Sequence, residues 1–285
     1  MPSPAERIRH DVTSETSNNG TVIFNVLPKC GSRTLYDLVK KTSFSFNRNV
    51  TIRNTMGSYV QSHDDKLREI RKLLFSPGLG FLYTHMRYRD FVTARPKPRY
   101  ISVVRDPIDR LASLYYFVRY GDNLEEDDSP AAVEFRLRMK RMNYSDETFD
   151  ECVLKGDKLC QDKGTLIGHF CGYDTHPCKA EVHSKKAFNK AVTNIERNYV
   201  VIGIMEDYDS FLRVLEKVLP EYFGGALSIY HQQKKDTLSK MKTKNKTTVS
   251  RRTKKILSKQ MTAEYKLYNY LKARFERTKK EFGVS

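Results

Sequence analysis

The sequence predicts an α/β protein with a central parallel sheet flanked by helices. Short apolar runs rich in β-branched and aromatic residues recur along the chain, as they do in buried strands. Helical periodicity follows three of these runs, and strands that alternate with helices are typical of a parallel sheet. The predicted strands are residues 21–27, 80–84, 100–104 and 199–204.

The helices are predicted from apolar residues that recur at a spacing of three or four. Pro107 suits the first turn of a helix, because its missing N–H would have no partner there. The last helix has apolar residues on one face only and is therefore amphipathic. The predicted helices begin near Ser32 or Thr34, extend from Pro107 to Val118, and cover residues 208–218 and 262–282.

The remaining segments predict how the chain is divided. Residues 1–20 are polar and are expected to form a disordered leader before a single domain over residues 21–285. Residues 121–150 are charged and irregular, which predicts an exposed insertion with a helix near residues 131–142. Residues 231–260 are strongly basic.

The charge of the chain indicates an anionic partner. Its 285 residues include 51 lysines and arginines against 34 acidic residues, which gives a formal charge of +17. Nucleic acid, anionic lipid, a nucleotide or a sulfated or carboxylated glycan would each satisfy that charge. No apolar run is long enough to span a membrane, and the N-terminus lacks the apolar core of a signal peptide. A secretory protein would therefore need an anchor that this chain does not show.

Four of the five cysteines form two close pairs, Cys152 with Cys160 and Cys171 with Cys178, while Cys30 lies apart. The pairs indicate either two short-loop disulfides, which need an oxidising compartment, or a zinc site. The spacings are longer than the C-x2-C knuckles of common zinc sites and favour disulfides. Acceptor triplets for N-glycosylation also suggest the secretory pathway, each weakly. They begin at Asn19, Asn49, Asn143 and Asn245.

The motif PKCGSRT lies between the first predicted strand and its helix. Such a loop presents backbone N–H groups and the positive end of the helix dipole. Gly31 lets the backbone approach an anion, Ser32 and Thr34 offer hydroxyls, and Lys29 and Arg33 offer charge. The motif therefore predicts a phosphate or sulfate cradle, although an ordinary helix start beside basic residues remains the alternative. The Walker A pattern is absent.

The motif VVRDPIDRLASLYYF follows the third predicted strand. Arg105 comes directly after the strand, and Ser113 lies about two turns into the next helix. Both side chains can reach one phosphate if the loop folds back. Asp106 is a candidate cap for the helix that Pro107 opens. The structural alternative is a surface pair of Arg105 with Asp106 or Asp109.

Three loops lie at the carboxyl ends of predicted strands, at residues 28–33, 85–90 and 105–107. In parallel α/β sheets, ligands bind at these ends. We therefore expect the three loops to form one site.

The two motifs in this order resemble those of the sulfotransferase superfamily, and further segments resemble the uronosyl 2-O-sulfotransferases of glycosaminoglycans. The resemblance covers roughly residues 21–283. CGSRT and GALSIY favour the branch that acts on chondroitin and dermatan sulfate over the heparan sulfate branch. The segments are FNVLPKCGSRT, FLYTHMRYRDF, VVRDPIDRLASLYYFVRYGD, TFDEC, HFCGYDTHPC and LPEYFGGALSIY.

The resemblance implies a P-loop-like sulfotransferase fold and transfer of a sulfuryl group from 3′-phosphoadenosine 5′-phosphosulfate to the 2-hydroxyl of a uronic acid. His85 is implied as the general base and Lys29 as the catalytic lysine, and histidine titrates near neutral pH. No metal is required, because lysine, arginine and loop amides supply positive charge. The implied donor-binding residues are Lys29, Cys30, Gly31, Ser32, Arg33, Thr34, Arg105, Ser113 and, from the basic loop at residues 240–246, Lys244.

The resemblance also implies the disulfides Cys152–Cys160 and Cys171–Cys178, a Golgi-lumenal type II membrane protein and a homo-oligomer, a trimer in the related enzymes. Its partner would be an acidic polysaccharide and not nucleic acid. Arginine suits carboxylate and sulfate groups through paired hydrogen bonds. The implied acceptor-binding residues are Arg87, Arg119 and Asp122.

The chain departs from the heparan sulfate enzymes at positions implied to touch the acceptor. Tyr83 replaces the first histidine of their H-x-H arrangement, and Val26 replaces an arginine. Residues 125–128 are acidic where those enzymes are basic, with basic residues further on at Arg136, Arg138, Lys140 and Arg141. The departures concern the identity of the glycan and not the reaction type.

Two other classes of protein compete with this interpretation. A non-catalytic heparin- or nucleic-acid-binding protein would explain the basic segment at residues 231–260 but not the ordered loops or the paired cysteines. The chain also lacks common nucleic-acid-binding modules. A nucleotide hydrolase or kinase of the P-loop class is disfavoured because the Walker A pattern is missing.

Overall fold

Five parallel strands form one sheet in the computed structural model, which describes residues 20–55, 63–91, 94, 96–121, 137, 147–173, 176–233 and 242–284. The strand order is β2-β3-β1-β4-β5. All four strand pairs are parallel, with Ile23 of β1 opposite Leu82 of β3 and Tyr100 of β4. The strands are β1 (Gly20–Asn25), β2 (Val50–Asn54), β3 (Leu79–Thr84), β4 (Arg99–Val104) and β5 (Tyr199–Ile204).

Helices cover both faces of the sheet's apolar strands, which explains why these strands lack alternating polar residues. In β1, for example, Val22, Ile23 and Phe24 are fully buried. The helices are α1 (Ser32–Ser45), α2 (His63–Leu74), α3 (Pro107–Tyr120), α4 (Phe149–Lys155), α5 (Thr165–Cys171), α6 (His176–Lys179), α7 (Lys185–Asn198), α8 (Tyr208–Val218), α9 (Pro220–Phe223), α10 (Ala226–Gln233), α11 (Arg251–Gln260) and α12 (Thr262–Glu281), with 3₁₀ turns at Lys158–Cys160 and Met205–Asp207.

The predicted α/β class and the four predicted strands are confirmed, with bounds within two residues of those expected. The helices predicted from Ser32, from Pro107, at residues 208–218 and at the C-terminus are also present. The sequence analysis missed β2. This strand lies at the sheet edge and is only partly buried, so it lacks the apolar run that marks the other four.

Several predictions fall on residues outside the described part of the chain. These are the leader up to residue 19, the helix near residues 131–142 apart from Leu137, and the acidic stretch at residues 125–128. Gly20, which the sequence analysis assigned to the leader, is the first residue of β1. The single domain over residues 21–285 stays a prediction.

The strand order places a crevice between β1 and β4. From β1 the chain continues to β2 and β3 on one side of the sheet, and from β4 it continues to β5 on the other. Because the two neighbouring strands send their following loops in opposite directions, their carboxyl ends leave a gap, which is where α/β sheets bind ligands. Both predicted anion-binding motifs follow these two strands.

Candidate active site

A cavity of about 510 Å³ opens at the carboxyl ends of β1 and β4. It brings together residues from five parts of the chain: the β1–α1 loop, the β4–α3 region, the segment after β5, helix α10 and the segment before α11. Basic, hydroxyl and aromatic side chains surround it. The lining residues are Lys29, Gly31, Ser32, Arg33, Thr34, Arg105, Ser113, Met205, Tyr208, Tyr230, Lys242, Thr243 and Lys246.

The β1–α1 loop has a backbone that suits an anion. Lys29 and Gly31 both adopt positive φ angles, of 68° and 77°. Gly31 caps α1 without any side-chain hydrogen bond, so the first turn of the helix directs its N–H groups towards the cavity edge. A Cβ atom at Gly31 would lie 3.3 Å from the Tyr208 ring, whose hydroxyl donates to the Gly31 carbonyl at 3.1 Å. A side chain at position 31 would therefore be strained by the backbone and would crowd the Tyr208 ring.

The β4–α3 motif is anchored to the first loop. The Arg105 guanidinium donates to the Lys29 carbonyl oxygen at 3.4 Å. Asp106 caps α3, because its carboxylate accepts from the backbone N–H groups of Ile108 and Asp109, both at 3.0 Å. The predicted cap by Asp106 is therefore confirmed, and Arg105 lines the cavity.

A segment of the basic region covers the far side of the cavity. Ser113 is buried, and its hydroxyl lies 3.2 Å from that of Thr243. The Tyr116 hydroxyl lies 2.6 Å from that of Thr247. Lys246 is partly buried and donates to the Asp109 carbonyl at 3.5 Å. Burial, followed by the nearby Arg105 charge, lowers the pKa of the Lys246 ammonium.

Two residues predicted to bind the donor lie differently from the rest. Lys244 does not line the cavity, and its backbone N–H donates to the Gly121 carbonyl at 3.1 Å. Its neighbours Lys242 and Lys246 line the cavity instead. Cys30 is fully buried beneath the loop, and burial raises the pKa of its thiol to about 12. The Cys30 side chain therefore packs in the core, and only its backbone belongs to the cradle.

Lys29 is held above an aromatic ring. Its ammonium nitrogen lies 3.7 Å from the centre of the Phe117 ring of α3. A cation placed over a ring face is attracted by the ring's electron density. Phe117 therefore fixes the position of the lysine at the cavity edge.

His85 lies beside the cavity and is exposed. It directly follows Thr84, whose carbonyl accepts from the Val26 N–H at 2.9 Å, so it stands next to the start of the β1–α1 loop. Its ring centre is 6.4 Å from that of Tyr83, and the Tyr83 hydroxyl lies 3.3 Å from the Ser32 hydroxyl. His85 is thus adjacent to the cradle but does not line the cavity.

The predicted acceptor-binding residues are spread around this region. Arg87 donates to the Cys178 carbonyl at 3.1 Å and lies 5.5 Å from the Tyr173 ring centre. Arg119 stacks on Tyr115, with its guanidinium carbon 3.6 Å from the ring centre. Asp122 lies outside the described residues. The structure does not bring Arg87 and Arg119 into the cavity lining.

A second histidine is buried below the site. His169 of α5 has Nε2 3.3 Å from the carbonyl oxygen of Asn25, the last residue of β1. Burial lowers the pKa of His169 to about 3, so the ring is neutral and its Nε2–H donates to that carbonyl. The sequence analysis left His169 without a role. It supports the end of β1 from which the cradle begins.

The four paired cysteines form the two disulfides that the resemblance implied, Cys152–Cys160 and Cys171–Cys178. The zinc alternative therefore fails for these residues. Within the described residues, one group of metal-ligating side chains lies together, Glu147, Cys152 and Asp157, and its sulfur belongs to a disulfide. No helix in the described part of the chain combines the length and apolar character needed to cross a bilayer.

Six residues that line the cavity were not predicted individually from the sequence: Met205, Tyr208, Tyr230, Lys242, Thr243 and Lys246. Met205 and Tyr208 follow β5, so the rule that ligands lie at strand ends would have included them. Thr243 and Lys246 lie in the predicted basic loop, but no local pattern distinguishes them from Lys244. Tyr230 comes from the middle of α10 and carries no such signal.

The fold and the cavity together define an α/β protein with a basic cavity at its parallel-strand ends, of the kind that suits a phosphorylated or sulfated ligand. Residues 15–271 match the model of the sulfotransferase family, and the chain belongs to that family. The match spans nearly the whole chain and includes both motifs that line the cavity.

Two kinds of curated relative are similar to this chain. Heparan sulfate 2-O-sulfotransferase 1 of Homo sapiens is 32% identical over 243 residues, 81% of this chain and 64% of the relative. Uronyl 2-sulfotransferase of Homo sapiens is 30% identical over 270 residues, 92% of this chain and 64% of the relative. The chain therefore spans just under two thirds of the length of these relatives. Their similar identities leave the predicted preference for the chondroitin and dermatan branch a prediction.

A solved structure is also similar. The crystal structure of mouse sulfotransferase SULT7A1 complexed with PAP has a TM-score of 0.37 and 16% identity, and the similarity covers 86% of this chain and 73% of the other.

Proposed function

We propose that this protein transfers a sulfuryl group from 3′-phosphoadenosine 5′-phosphosulfate to the 2-hydroxyl of a uronic acid in a glycosaminoglycan. The observation that carries the donor half is the convergence of both anion-binding motifs on one cavity. The acceptor half rests on the similarity to heparan sulfate and uronyl 2-sulfotransferases.

The cavity residues fit such a donor. The donor carries a 5′-phosphosulfate and a separate 3′-phosphate, and basic side chains from different parts of the chain line the cavity: Lys29 and Arg33 after β1, Arg105 after β4, and Lys242 and Lys246 before α11. Two aromatic side chains, Tyr208 and Tyr230, line the same space and suit an adenine ring. When bound, the donor supplies the activated sulfuryl group.

The residues of the chain then have separate roles. The loop amides and the Ser32 and Thr34 hydroxyls hold the phosphosulfate, while Arg105 and Ser113 hold the 3′-phosphate. Lys29 stabilises the negative charge that develops on the bridging oxygen as the sulfur–oxygen bond breaks. His85 accepts the proton of the acceptor hydroxyl as that oxygen attacks sulfur. Arg87, Arg119 and Asp122 are proposed to bind the acceptor.

The setting proposed for this reaction is the Golgi lumen, with the protein as a type II membrane protein. The two disulfides agree with an oxidising compartment. A homo-oligomer, as a trimer, and a reaction that needs no metal are part of the same proposal, and nucleic acid is not the proposed partner.

The test is a transfer assay with radiolabelled donor and a panel of desulfated heparan, chondroitin and dermatan chains, followed by disaccharide analysis. Label at C2 of a uronic acid supports the proposal and identifies the polymer. Tight binding of the donor nucleotide without transfer to any chain rejects the proposed acceptors. If the nucleotide does not bind, the sulfotransferase activity itself is rejected, and a non-catalytic heparin- or nucleic-acid-binding basic protein is the alternative.

A further inference from the structure

The exposed residues of helix α11 are five cations, Ser258 and Gln260. Thr253 and Leu257 are fully buried and fix which side of the helix faces the protein. The exposed charged residues of this helix are all basic: Arg251, Arg252, Lys254, Lys255 and Lys259. At 3.6 residues per turn they occupy one continuous side, opposite Thr253 and Leu257. We call these five residues the α11 basic face.

This arrangement works against the stability of the helix itself. Arg251 and Arg252 lie in the first turn, where the helix dipole favours acidic residues, and the turn contains none. Arg251 with Lys255, and Lys255 with Lys259, are like charges four residues apart, which repel. Within the described residues, none of the five cations forms an ion pair. Binding of a polyanion would neutralise these like charges and offset their repulsion.

Carboxylates beside the helix do not neutralise the whole face. A groove of about 580 Å³ contains Lys254 and Lys255 together with Asp106, Asp109 and Glu206. The carboxylates of Asp106 and Glu206 already accept hydrogen bonds from the hydroxyls of Tyr265 and Tyr268 and from backbone N–H groups. The groove does not include Arg251, Arg252 or Lys259.

The α11 basic face is continuous with the cavity. The segment that lines the cavity ends at Lys246, and α11 begins five residues later. Lys254 is close enough for its charge to contribute to lowering the pKa of Lys246. The first and last cations of the α11 basic face, Arg251 and Lys259, are about 12 Å apart along the helix axis. The chain therefore extends from the cavity to a broad positively charged helix face.

We propose that the α11 basic face binds a sulfated or carboxylated polysaccharide, as an exosite for the acceptor polymer outside the reacting residue. That the bound polymer is also the acceptor rests on the proposed function. The binding of polysaccharide to the α11 basic face does not depend on it. The face presents no exposed large apolar or aromatic side chain. A membrane-surface helix needs apolar residues to insert, and single-stranded nucleic acid is bound by stacking on aromatic rings. A chain with repeated sulfate or carboxylate groups needs only the cations.

The test compares two triple variants with the same change in charge. One replaces Arg251, Arg252 and Lys259 with glutamine, and the control replaces Lys185, Lys186 and Lys190, exposed lysines of α7, with glutamine. Each lowers the formal charge from +17 to +14. Glutamine has a helix propensity close to those of lysine and arginine, so both helices are expected to fold. Circular dichroism and thermal unfolding check this directly.

The first measurement is affinity for immobilised heparin and chondroitin sulfate. The α11 variant is expected to lose roughly tenfold in affinity and the α7 control less than about twofold. The second measurement is transfer kinetics. In the α11 variant, KM for long polymers rises, while KM for a short oligosaccharide acceptor and for the donor stays unchanged. Equal losses of affinity in the two variants would show that polysaccharide binding depends only on the net charge of the protein, and would overturn the exosite.

Two further measurements distinguish polysaccharide binding from binding of other polyanions, and the exosite from the proposed reaction. If the α11 variant loses affinity for duplex DNA or for anionic phospholipid vesicles but keeps its affinity for both polysaccharides, the exosite is wrong. If wild-type protein transfers no sulfate to any polymer, the proposed function fails, yet the heparin measurement still decides whether the α11 basic face binds polysaccharide.

Discussion

The hydroxyl of Tyr208 donates to the carbonyl oxygen of Gly31 at 3.1 Å, which links the start of α8 to the loop after β1. Tyr208 is buried and also lines the cavity. One side chain therefore holds the shape of the anion cradle and forms part of its wall.

Tyr208→Phe is expected to weaken binding of adenosine 3′,5′-bisphosphate about fivefold, because one hydrogen bond to the cradle is lost while the ring remains. Isothermal titration calorimetry measures the affinity. Tyr222→Phe is the matched control, since the Tyr222 hydroxyl donates to the Gly20 carbonyl at 2.8 Å, at the other end of β1. An equal loss of affinity in both variants would assign the effect to general loosening of β1.

Gly31→Ala is expected to lower both stability and nucleotide affinity, because it adds a contact with Tyr208 to the strain of an alanine at positive φ. An alanine at a positive φ costs about 1 kcal/mol in any context. At Gly31 the new Cβ also meets the Tyr208 ring at 3.3 Å. Gly156→Ala separates the two effects, because Gly156 has a similar φ of 75° with no atom within 4 Å of the new Cβ.

Thermal unfolding and nucleotide affinity of the two glycine variants together decide the point. Gly31→Ala should lower both the melting temperature and the affinity. Gly156→Ala should lower the melting temperature alone. Unchanged affinity in Gly31→Ala would remove the glycine from the cradle.

The two anion-binding motifs show how far local sequence predicts a site. Arg105 and Ser113 are predictable from one short segment. Arg105 directly follows the end of β4, and Ser113 lies eight residues further on, within α3. The run of lysines predicts Lys244 as a donor-binding residue, but the structure places Lys242 and Lys246 at the cavity instead. The direction of each lysine depends on how the segment packs on α3 through Thr243 and Thr247. That packing is a tertiary contact with no local pattern.

The same limit applies to the sheet. The apolar runs predicted four strands because burial on both faces leaves a signal in composition. The edge strand β2 is partly exposed, and its place beside β3 depends on long-range pairing. Tyr230 likewise enters the cavity only because α10 packs near Tyr208, with their ring centres 5.4 Å apart.

The lysine choice leads to a direct comparison. Lys246→Met is expected to lower nucleotide affinity roughly tenfold, because a partly buried ammonium at the cavity wall is removed. Lys244→Met is expected to change it by less than about threefold. The lowered pKa of Lys246 means that it loses its charge at a lower pH than an ordinary lysine, so affinity should decline earlier at alkaline pH in wild type than in Lys246→Met. A larger loss of nucleotide affinity in Lys244→Met than in Lys246→Met would support Lys244 as the donor-binding lysine.

His85→Gln is expected to lower the transfer rate roughly 10²- to 10⁴-fold, because the acceptor hydroxyl loses its general base. Nucleotide affinity should be unchanged, since His85 does not line the cavity. His231→Gln is the control, because His231 is an exposed histidine that lies 2.7 Å from Asp209. Full activity in His85→Gln would exclude His85 as the base.

His169 makes the stability of the fold depend on pH. Its pKa is about 3 in the folded protein against 6.5 for a free histidine. Above pH 6.5 the ring is neutral in both the folded and the unfolded protein, so His169 does not make stability depend on pH. Between pH 6.5 and pH 3 the unfolded chain binds a proton at His169 and the folded protein does not. Stability is therefore lost as the pH falls, by about 2 kcal/mol from pH 7 to pH 5.

Urea unfolding of wild type and His169→Gln at these two pH values measures that contribution. The variant is destabilised at pH 7, because a glutamine does not reproduce the contact with the Asn25 carbonyl at 3.3 Å. Its stability should nevertheless fall less than that of wild type on acidification, since it has no excluded proton. His183→Gln, at an exposed histidine, should keep the wild-type pH dependence. Parallel curves for wild type and His169→Gln would show that His169 is not the group that the fold keeps neutral.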